Sequence, residues 1–411
     1  LPINGVLPIN GVLPINGVLP INGVLPSKMS IKKNLGQYFT ISDQLQQFVF
    51  EKVKYKSSQL LEPSFGAGHL LQKFKEYNEN YPMVCCEIDK FIKHVVNFNE
   101  YQSVLYGDFT EQKLDVKFKT IIGNPPYVKG CKGNLYIKFI ELCYDYLQEN
   151  GEMIFIVPSD FIKLTSSSNL ITKMTQTGSF TDFLFPNNEK LFKEANIDVL
   201  VFRYEKGLTT CKTKVNEKEM VINVNDGIIT FTDSQINGES FNKHFEIYVG
   251  LVSGKDSVYC VDFGNTPILI DQKTTKKYIF TQTFPTTDTK INEHLEANKK
   301  ELMARKIKKF TEKNWFEWGA PRNITHIKNN LNKPCIYIKN LTRSKEIAFV
   351  DKVMYFGGSL LCCIPKNENV NLELIKDYLN SDLFQTNYIY SGRFKIGHKQ
   401  ISNAIIPNQF V

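Results

Sequence analysis

From Ser58 onward, short apolar runs alternate with amphipathic stretches. "QLLEP" (59–63) predicts a strand, and a glycine turn leads into "HLLQKFKEY" (69–77), where apolar residues recur at helical spacing. "MVCCEID" (83–89) predicts a second strand and "KFIKHVVNFNE" (90–100) a second helix. Two more short strands follow, "SVLYGDF" (103–109) and "FKTIIGN" (118–124). In residues 134–150, Leu135, Phe139, Leu142 and Tyr146 fall on one helical face. "GEMIFIVP" (151–158), "FTDFLFP" (180–186) and "IDVLVFRYEK" (197–206) bring the strands to seven. Strands that alternate with helices imply a parallel, doubly wound α/β sheet.

The pattern changes after Gly207. Residues 208–234 are polar at first, then hairpin-like around Asn225-Asp226-Gly227. Beyond them lie β-rich runs such as "KPCIYIKNL", "EIAFVDKVMYF" and "SLLCCIP", interrupted by one helix-like stretch at 371–384. Two domains are expected: a reaction domain over residues 29–207 and a β-rich domain over 208–411. At the other end, "LPINGV" repeats four times from Leu1 to Val24 and begins again at Leu25. Proline and Asn-Gly every six residues forbid a helix, and a signal peptide's basic start is missing. Residues 1–28 are therefore expected to be a disordered extension, with Met29 opening the functional chain.

Charge sharpens this division. From Leu208 onward there are 28 Lys+Arg and 21 Asp+Glu, whereas the front holds 22 and 21. A near-neutral front and a basic back suit a reaction domain joined to one that binds a polyanion. The nine cysteines include no C-x-x-C, and no histidines stand at H-x-x-x-H spacing. No zinc site or disulfide framework is expected, which fits a reducing, cytoplasmic compartment. No apolar run reaches the roughly 18–20 residues of a membrane span, so no membrane partner is expected.

"LLEPSFGAGHLL" (60–71) is the first cluster that carries chemistry. Gly66 and Gly68 allow a tight turn where a ligand can approach the backbone. Glu87 ends the second strand, at a distance from this turn that suits an acid accepting both hydrogens of a ribose diol. Asp108 ends the third strand, where a carboxylate can meet an adenine amino group, and Phe109 beside it can pack on the base. No G-x-x-x-x-G-K-[ST] is present to cradle a triphosphate, and the turn departs from G-x-G-x-x-G. An adenosine ligand without a phosphate chain, such as S-adenosyl-L-methionine, fits better than NAD or ATP.

"TIIGNPPYVKG" (120–130) is the second cluster. Taken in order, "NLGQYFT", "LLEPSFGAG", "CCEID", "YGDF" and "IIGNPPYV" resemble the motifs of amino-group DNA methyltransferases of the adenine-N6 type. Their order, followed by a basic recognition domain, is similar to the gamma class of restriction-modification systems. The resemblance runs from about Lys32 to the C-terminus, strongly through Lys206 and more loosely beyond it. It implies a Rossmann-like S-adenosylmethionine-dependent methyltransferase sheet with a C-terminal β-rich target-recognition domain. Thr40 would touch the methionine carboxylate and Glu62 its amino group. Glu87 would hold the ribose and Asp108 the adenine of the cofactor, with Ser64, Gly66, Gly68, Ile88 and Phe109 completing the pocket.

By the same resemblance the target adenine is flipped out of the duplex. The Asn124 side-chain oxygen and the Pro125 carbonyl would accept the two hydrogens of its amine, and Pro125 and Pro126 would hold that carbonyl in place. Tyr127 would stack on the base, and Phe192 would sandwich it from the other side. In the basic half, Lys306 and Lys309 are candidates for phosphate contacts. Arg322, Arg343 and Arg393 are candidates for reading guanine edges. Double-stranded DNA is the implied partner of a monomeric enzyme, alongside a restriction endonuclease encoded separately. An RNA adenine-N6 or protein N5-glutamine methyltransferase needs a similar pocket, and cytosine N4 offers a similar amine. Cys335, which follows a proline as the nucleophile of cytosine-C5 enzymes does, is expected to lie in a core strand.

Overall fold

The computed structural model describes residues 40–130, 133–188, 190–192 and 197–410. The LPINGV extension and residues 34–39 of the Asn34–Thr40 motif lie outside the described residues. All seven expected strands form: β1 (Leu60–Glu62), β2 (Met83–Glu87), β3 (Gln102–Tyr106), β4 (Phe118–Gly123), β5 (Leu147–Pro158), β6 (Gly178–Leu184) and β7 (Val199–Lys206). They lie in the order β3-β2-β1-β4-β5-β7-β6. The first five are mutually parallel. β7 slots between β5 and β6 and runs antiparallel to both. The strand order reverses beside β1, so the carboxyl ends of β1 and β4 flank the crevice where open α/β sheets bind ligands.

Both faces of this sheet are covered, which is why its central strands read as continuous apolar runs. On one face, α1 (Asp43–Lys52) and α2 (Gln72–Tyr77) contribute Leu45, Phe48, Val49 and Phe74 to a core. On the other, α3 (Leu135–Tyr146) and α4 (Ser168–Thr177) contribute Phe139, Ile140, Leu170 and Ile171. Adjacent strand residues point to opposite faces. Cys85 accordingly joins the first core and its neighbour Cys86 the second.

Two features differ from the sequence expectation. Residues 90–100 form turns, not a helix. The Val95 N–H donates to the Ala67 carbonyl at 2.8 Å, and a Cβ on Gly68 would stand 2.6 Å from a Val96 methyl. The segment is pinned across the glycine turn, and two adjacent β-branched residues favour that extended path over a helix. In addition, the sheet continues past Gly207. β8 (Lys212–Val215), β9 (Lys218–Asn225) and β10 (Ile228–Thr232) extend it beyond β6 to ten strands. The β9–β10 hairpin turns at Asp226 and Gly227, with φ of 47° and 70°, as the sequence predicts.

One buried ion pair ties these layers together. Arg203 on β7 bonds Glu152 on β5 at 2.7 Å, and both are almost fully buried. Glu152 also accepts from the backbone N–H groups of Lys54 and Tyr55 and from the Thr120 hydroxyl. Arg203 donates in addition to the Lys52 carbonyl, Thr181 and Glu205. Every strong polar atom of the pair has a partner, as a buried charge requires.

In the basic half, β11 (Phe245–Val249), β12 (Pro334–Lys339), β14 (Ala348–Lys352) and β15 (Leu360–Pro365) form a sheet in the order β11-β15-β12-β14. It too is buried on both faces. Cys335, Tyr337 and Cys362 enter one core, and Ile336, Ile338 and Cys363 enter the other. Cys335 is thus a core-strand residue, and its hydrogen bond with Cys362 together with burial pushes its thiol far up. A smaller sheet joins β13 (Leu341–Thr342), β17 (Arg393–Lys395) and β16 (Ile389–Tyr390). Trp315 and Trp318 are buried. Arg305 in the same basic segment is spent on the carbonyls of Ser253, Leu302, Trp315 and Glu317. Among the described residues no helix is long and apolar enough to cross a membrane.

Candidate active site and interdomain cleft

Four strand ends meet along one edge. Glu62 ends β1, Glu87 ends β2, Asp108 follows β3, and Asn124 follows β4. The pairing of Leu61 with Ile121 brings Glu62 beside the β4 terminus. There Gly123 is needed, because a Cβ would stand 2.8 Å from the Phe155 ring and 3.4 Å from a Glu62 carboxylate oxygen. The spacing seen in the sequence therefore becomes real proximity.

The glycine turn is held by these same acids. Glu62 accepts from the Ser64 N–H at 3.0 Å, and Glu87 accepts from the Gly66 N–H at 2.8 Å. Gly66 and Gly68 have φ of 57° and 87°, the left-handed region that favours glycine. Glu62 is 1% exposed. Burial pushes its carboxyl from an ordinary 4.5 to about 8; the Ser64 N–H opposes this, and the nearby Glu87 charge adds to it. Burial also raises Glu87, against N–H donors from Asp89 and Gly66. Burial thus raises both acids, Glu62 to about 8, and perturbed carboxyls of this kind mark a candidate site.

At the next strand, Asp108 accepts from the Thr110 N–H at 2.8 Å. Phe109 is only 2% exposed, with its ring 5.3 Å from that of Phe139. Ile88 is half-buried beside Glu87.

The Asn124 side chain is fixed from both ends. Its Nδ2 donates to the Thr40 hydroxyl at 2.9 Å, and its Oδ1 accepts from the Tyr127 hydroxyl. Thr40, the one described residue of its motif, is buried against the reaction motif. The Tyr127 hydroxyl also reaches the Ile156 carbonyl at 3.1 Å. Tyr127 and Phe192 are brought together, with ring centroids 6.4 Å apart and planes at 86°. Edge-to-face rings leave no slot for a base between them.

A second feature escaped the sequence reading. A cleft of about 300 Å3 opens between the two halves of the chain. Pro158, Ser159, Asp160 and Asp198 line one side; Arg343, Arg393, Lys395 and Tyr390 line the other. Two of the five predicted DNA-contacting residues, Arg343 and Arg393, therefore share one cavity. Lys306, Lys309 and Arg322 are exposed but do not line it. Behind the cleft, Lys163 is buried with its ammonium 4.5 Å from the Tyr388 ring centre. Burial pushes its pKa down to about 7. Nothing in "SDFIKL" distinguishes this lysine from a surface one.

The sheet order, with one reversed strand beside five parallel ones, and the edge of acids and glycines define a Rossmann-like S-adenosylmethionine-dependent methyltransferase fold. Residues 64–192 match the model of the Eco57I restriction-modification methylase family. Type II methyltransferase M.HincII of Haemophilus influenzae is 29% identical over 201 residues, 43% of this chain and 38% of that protein. Type II methyltransferase M.CvrRI of Paramecium bursaria Chlorella virus XZ-6E is 26% identical over 183 residues, 41% of this chain and 47% of that protein. The match thus spans less than half the length of either relative. Among solved structures, a DrdV–DNA complex aligns over 82% of this chain and 50% of that chain, with 11% identity and a TM-score of 0.48.

Proposed function

We propose that this chain is a DNA methyltransferase that acts on N6 of an adenine flipped out of duplex DNA, with S-adenosylmethionine as the methyl donor. The observation that carries this reading is Asn124, held by Thr40 and Tyr127 at the end of β4, beside the acid-lined turn of β1. When bound, the cofactor supplies an electrophilic methyl group on a sulfonium. Glu62 suits its ammonium group, Glu87 its ribose and Asp108 its adenine.

The chain's own contribution is to orient the amine. An exocyclic amine is a weak nucleophile because its lone pair is delocalised into the ring. Acceptors set out of the ring plane, Asn124 Oδ1 and the Pro125 carbonyl, favour a pyramidal nitrogen whose lone pair faces the methyl group. The Thr40 bond to Nδ2 keeps Oδ1 facing the reaction side. The Tyr127 hydroxyl has one proton and two acceptors in reach. On base entry it passes to the Ile156 carbonyl, and Asn124 Oδ1 takes up the amine instead. For a base to stack between them, the Tyr127 and Phe192 rings must leave their edge-to-face contact. In the basic half, Lys306, Lys309 and Arg322 remain candidate DNA contacts on an exposed surface.

The test is to incubate the protein with labelled cofactor and unmethylated duplex DNA, then digest to nucleosides. N6-methyladenine is the expected product. Label on N4 of cytosine, on RNA or on a release-factor glutamine would replace this reading.

A further inference from the structure

The register of the small sheet explains why three cations gather in the cleft. β13 pairs with β17 so that Leu341 faces Lys395 and Thr342 faces Phe394. β16 pairs with β17 so that Tyr390 faces Arg393. Side chains alternate along a strand, so buried Phe394 points into the core while Arg393 and Lys395 share the opposite face. Arg343, one step past the ladder, continues the Leu341 row toward Arg393. Like charges on neighbouring strands oppose one another.

The facing wall only partly answers them. Asp160 lies 3.8 Å from Lys395, and Asp198 is engaged by the Ser391 hydroxyl. Among the described residues neither the Arg343 nor the Arg393 guanidinium has an ion pair or hydrogen bond. The Tyr390 hydroxyl is closed to solvent and also has no partner there. The cleft thus combines unmatched positive charge and open volume.

Its position says which anion fits. Ile156 touches the Tyr127 hydroxyl, and Pro158, two residues further along β5, lines the cleft. At about 3.3 Å per strand residue, the cleft begins roughly 7 Å from the base-binding motif. We propose that this cleft grips the phosphodiesters of the target strand directly beside the extruded base, through Arg343, Arg393 and Lys395. The two arginines then act as phosphate clamps, not as readers of guanine. This inference rests on the DNA-methyltransferase reading above.

The test is binding of a fluorescently labelled, mixed-sequence DNA duplex across a salt series, for wild type, Arg343→Gln, Arg393→Gln and the double variant. Arg343 and Arg393 are both exposed, and melting temperature and cofactor affinity check that each variant is folded. Each single substitution is expected to weaken binding and to lower the salt slope by about one, the double by about two. Unchanged affinity and slope on mixed-sequence DNA, with a changed set of methylated sites, would show that the arginines read bases and would overturn the proposal. A wild type that neither binds nor methylates DNA would overturn the DNA reading itself, and this inference with it.

Discussion

Glu62 and Asn124 carry different proposed roles at the sheet edge. Glu62 is buried where its charge is penalised. The unfolded carboxyl titrates near 4.5 and the folded one near 8. The folded state therefore holds an extra proton between those values, and stability falls as pH rises through that window. Glu62→Gln removes the penalty. The variant is expected to be more stable than wild type at pH 8, by on the order of 2 kcal/mol, with the two converging near pH 5. Thermal melts at both pH values check this, and a variant less stable than wild type at pH 8 contradicts it. The same variant is expected to bind cofactor more weakly, since Gln cannot pair with an ammonium group. Asn124→Ala should behave in the opposite way. Cofactor affinity is expected to hold while the rate of transfer falls about 100- to 1,000-fold, the usual cost of losing one aligned hydrogen-bonding group. Full activity in that variant would refute the acceptor role. These residues were legible in the sequence because each stands at the end of an apolar run, where the chain must turn. The closed Tyr127–Phe192 contact was not legible, since ring orientation depends on packing between segments far apart in the chain.

At the scale of elements, local pattern served well wherever a segment's own apolar face was buried in the expected layer. The strands of the sheet, the β9–β10 hairpin and α3 all follow from it. It failed at residues 90–100, where the backbone bond from Val95 to Ala67 outweighs a helical pattern. Gly207 likewise looked like an end, although β8 finds an open neighbour in β6 and pairs with it in parallel. The Arg203–Glu152 pair is the clearest case of an element bond hidden from pattern. "FRYEK" reads as an ordinary strand end, yet its arginine joins α1, β5, β6 and β7. Arg203→Leu is expected to cost about 3–5 kcal/mol, because Glu152 keeps its charge in a buried place without its counterion. Adding Glu152→Gln should recover part of that loss, since the amide oxygen can still accept from Lys54 and Tyr55 while the stranded charge disappears. Urea midpoints of the two variants make the comparison. A double variant less stable than Arg203→Leu alone would show that the carboxylate's hydrogen bonds, not its charge, dominate.

At the scale of the whole molecule, what matters is how the basic half sits on the front half. The charge asymmetry between them was countable in the sequence, but the cleft was not, since it is assembled from residues near 158, 198, 343 and 393. The same junction buries Lys163 between the end of β5 and the Tyr388–Tyr390 segment. Gln400 donates to its backbone carbonyl, and Lys399 reaches Ser168 close by, so the seam is knit on both sides of the lysine. A buried ammonium without a carboxylate is costly, and the aromatic faces offset only part of the lost hydration. Its folded pKa is about 7 against an ordinary 10.5. The unfolded chain thus binds more protons between these values, and this term makes stability rise with pH across them. Its sign is opposite to that of Glu62, whose effect is complete near pH 8. Lys163→Met keeps an unbranched apolar stem and removes the charge. From pH 7 to pH 9, wild type is expected to gain on the order of 1–2 kcal/mol relative to the variant. Taking the difference between the two proteins at each pH cancels Glu62 and every other shared group. A difference that does not change with pH would mean that Lys163 is hydrated at the seam, and that the two halves are less tightly joined there than the aromatic contacts imply.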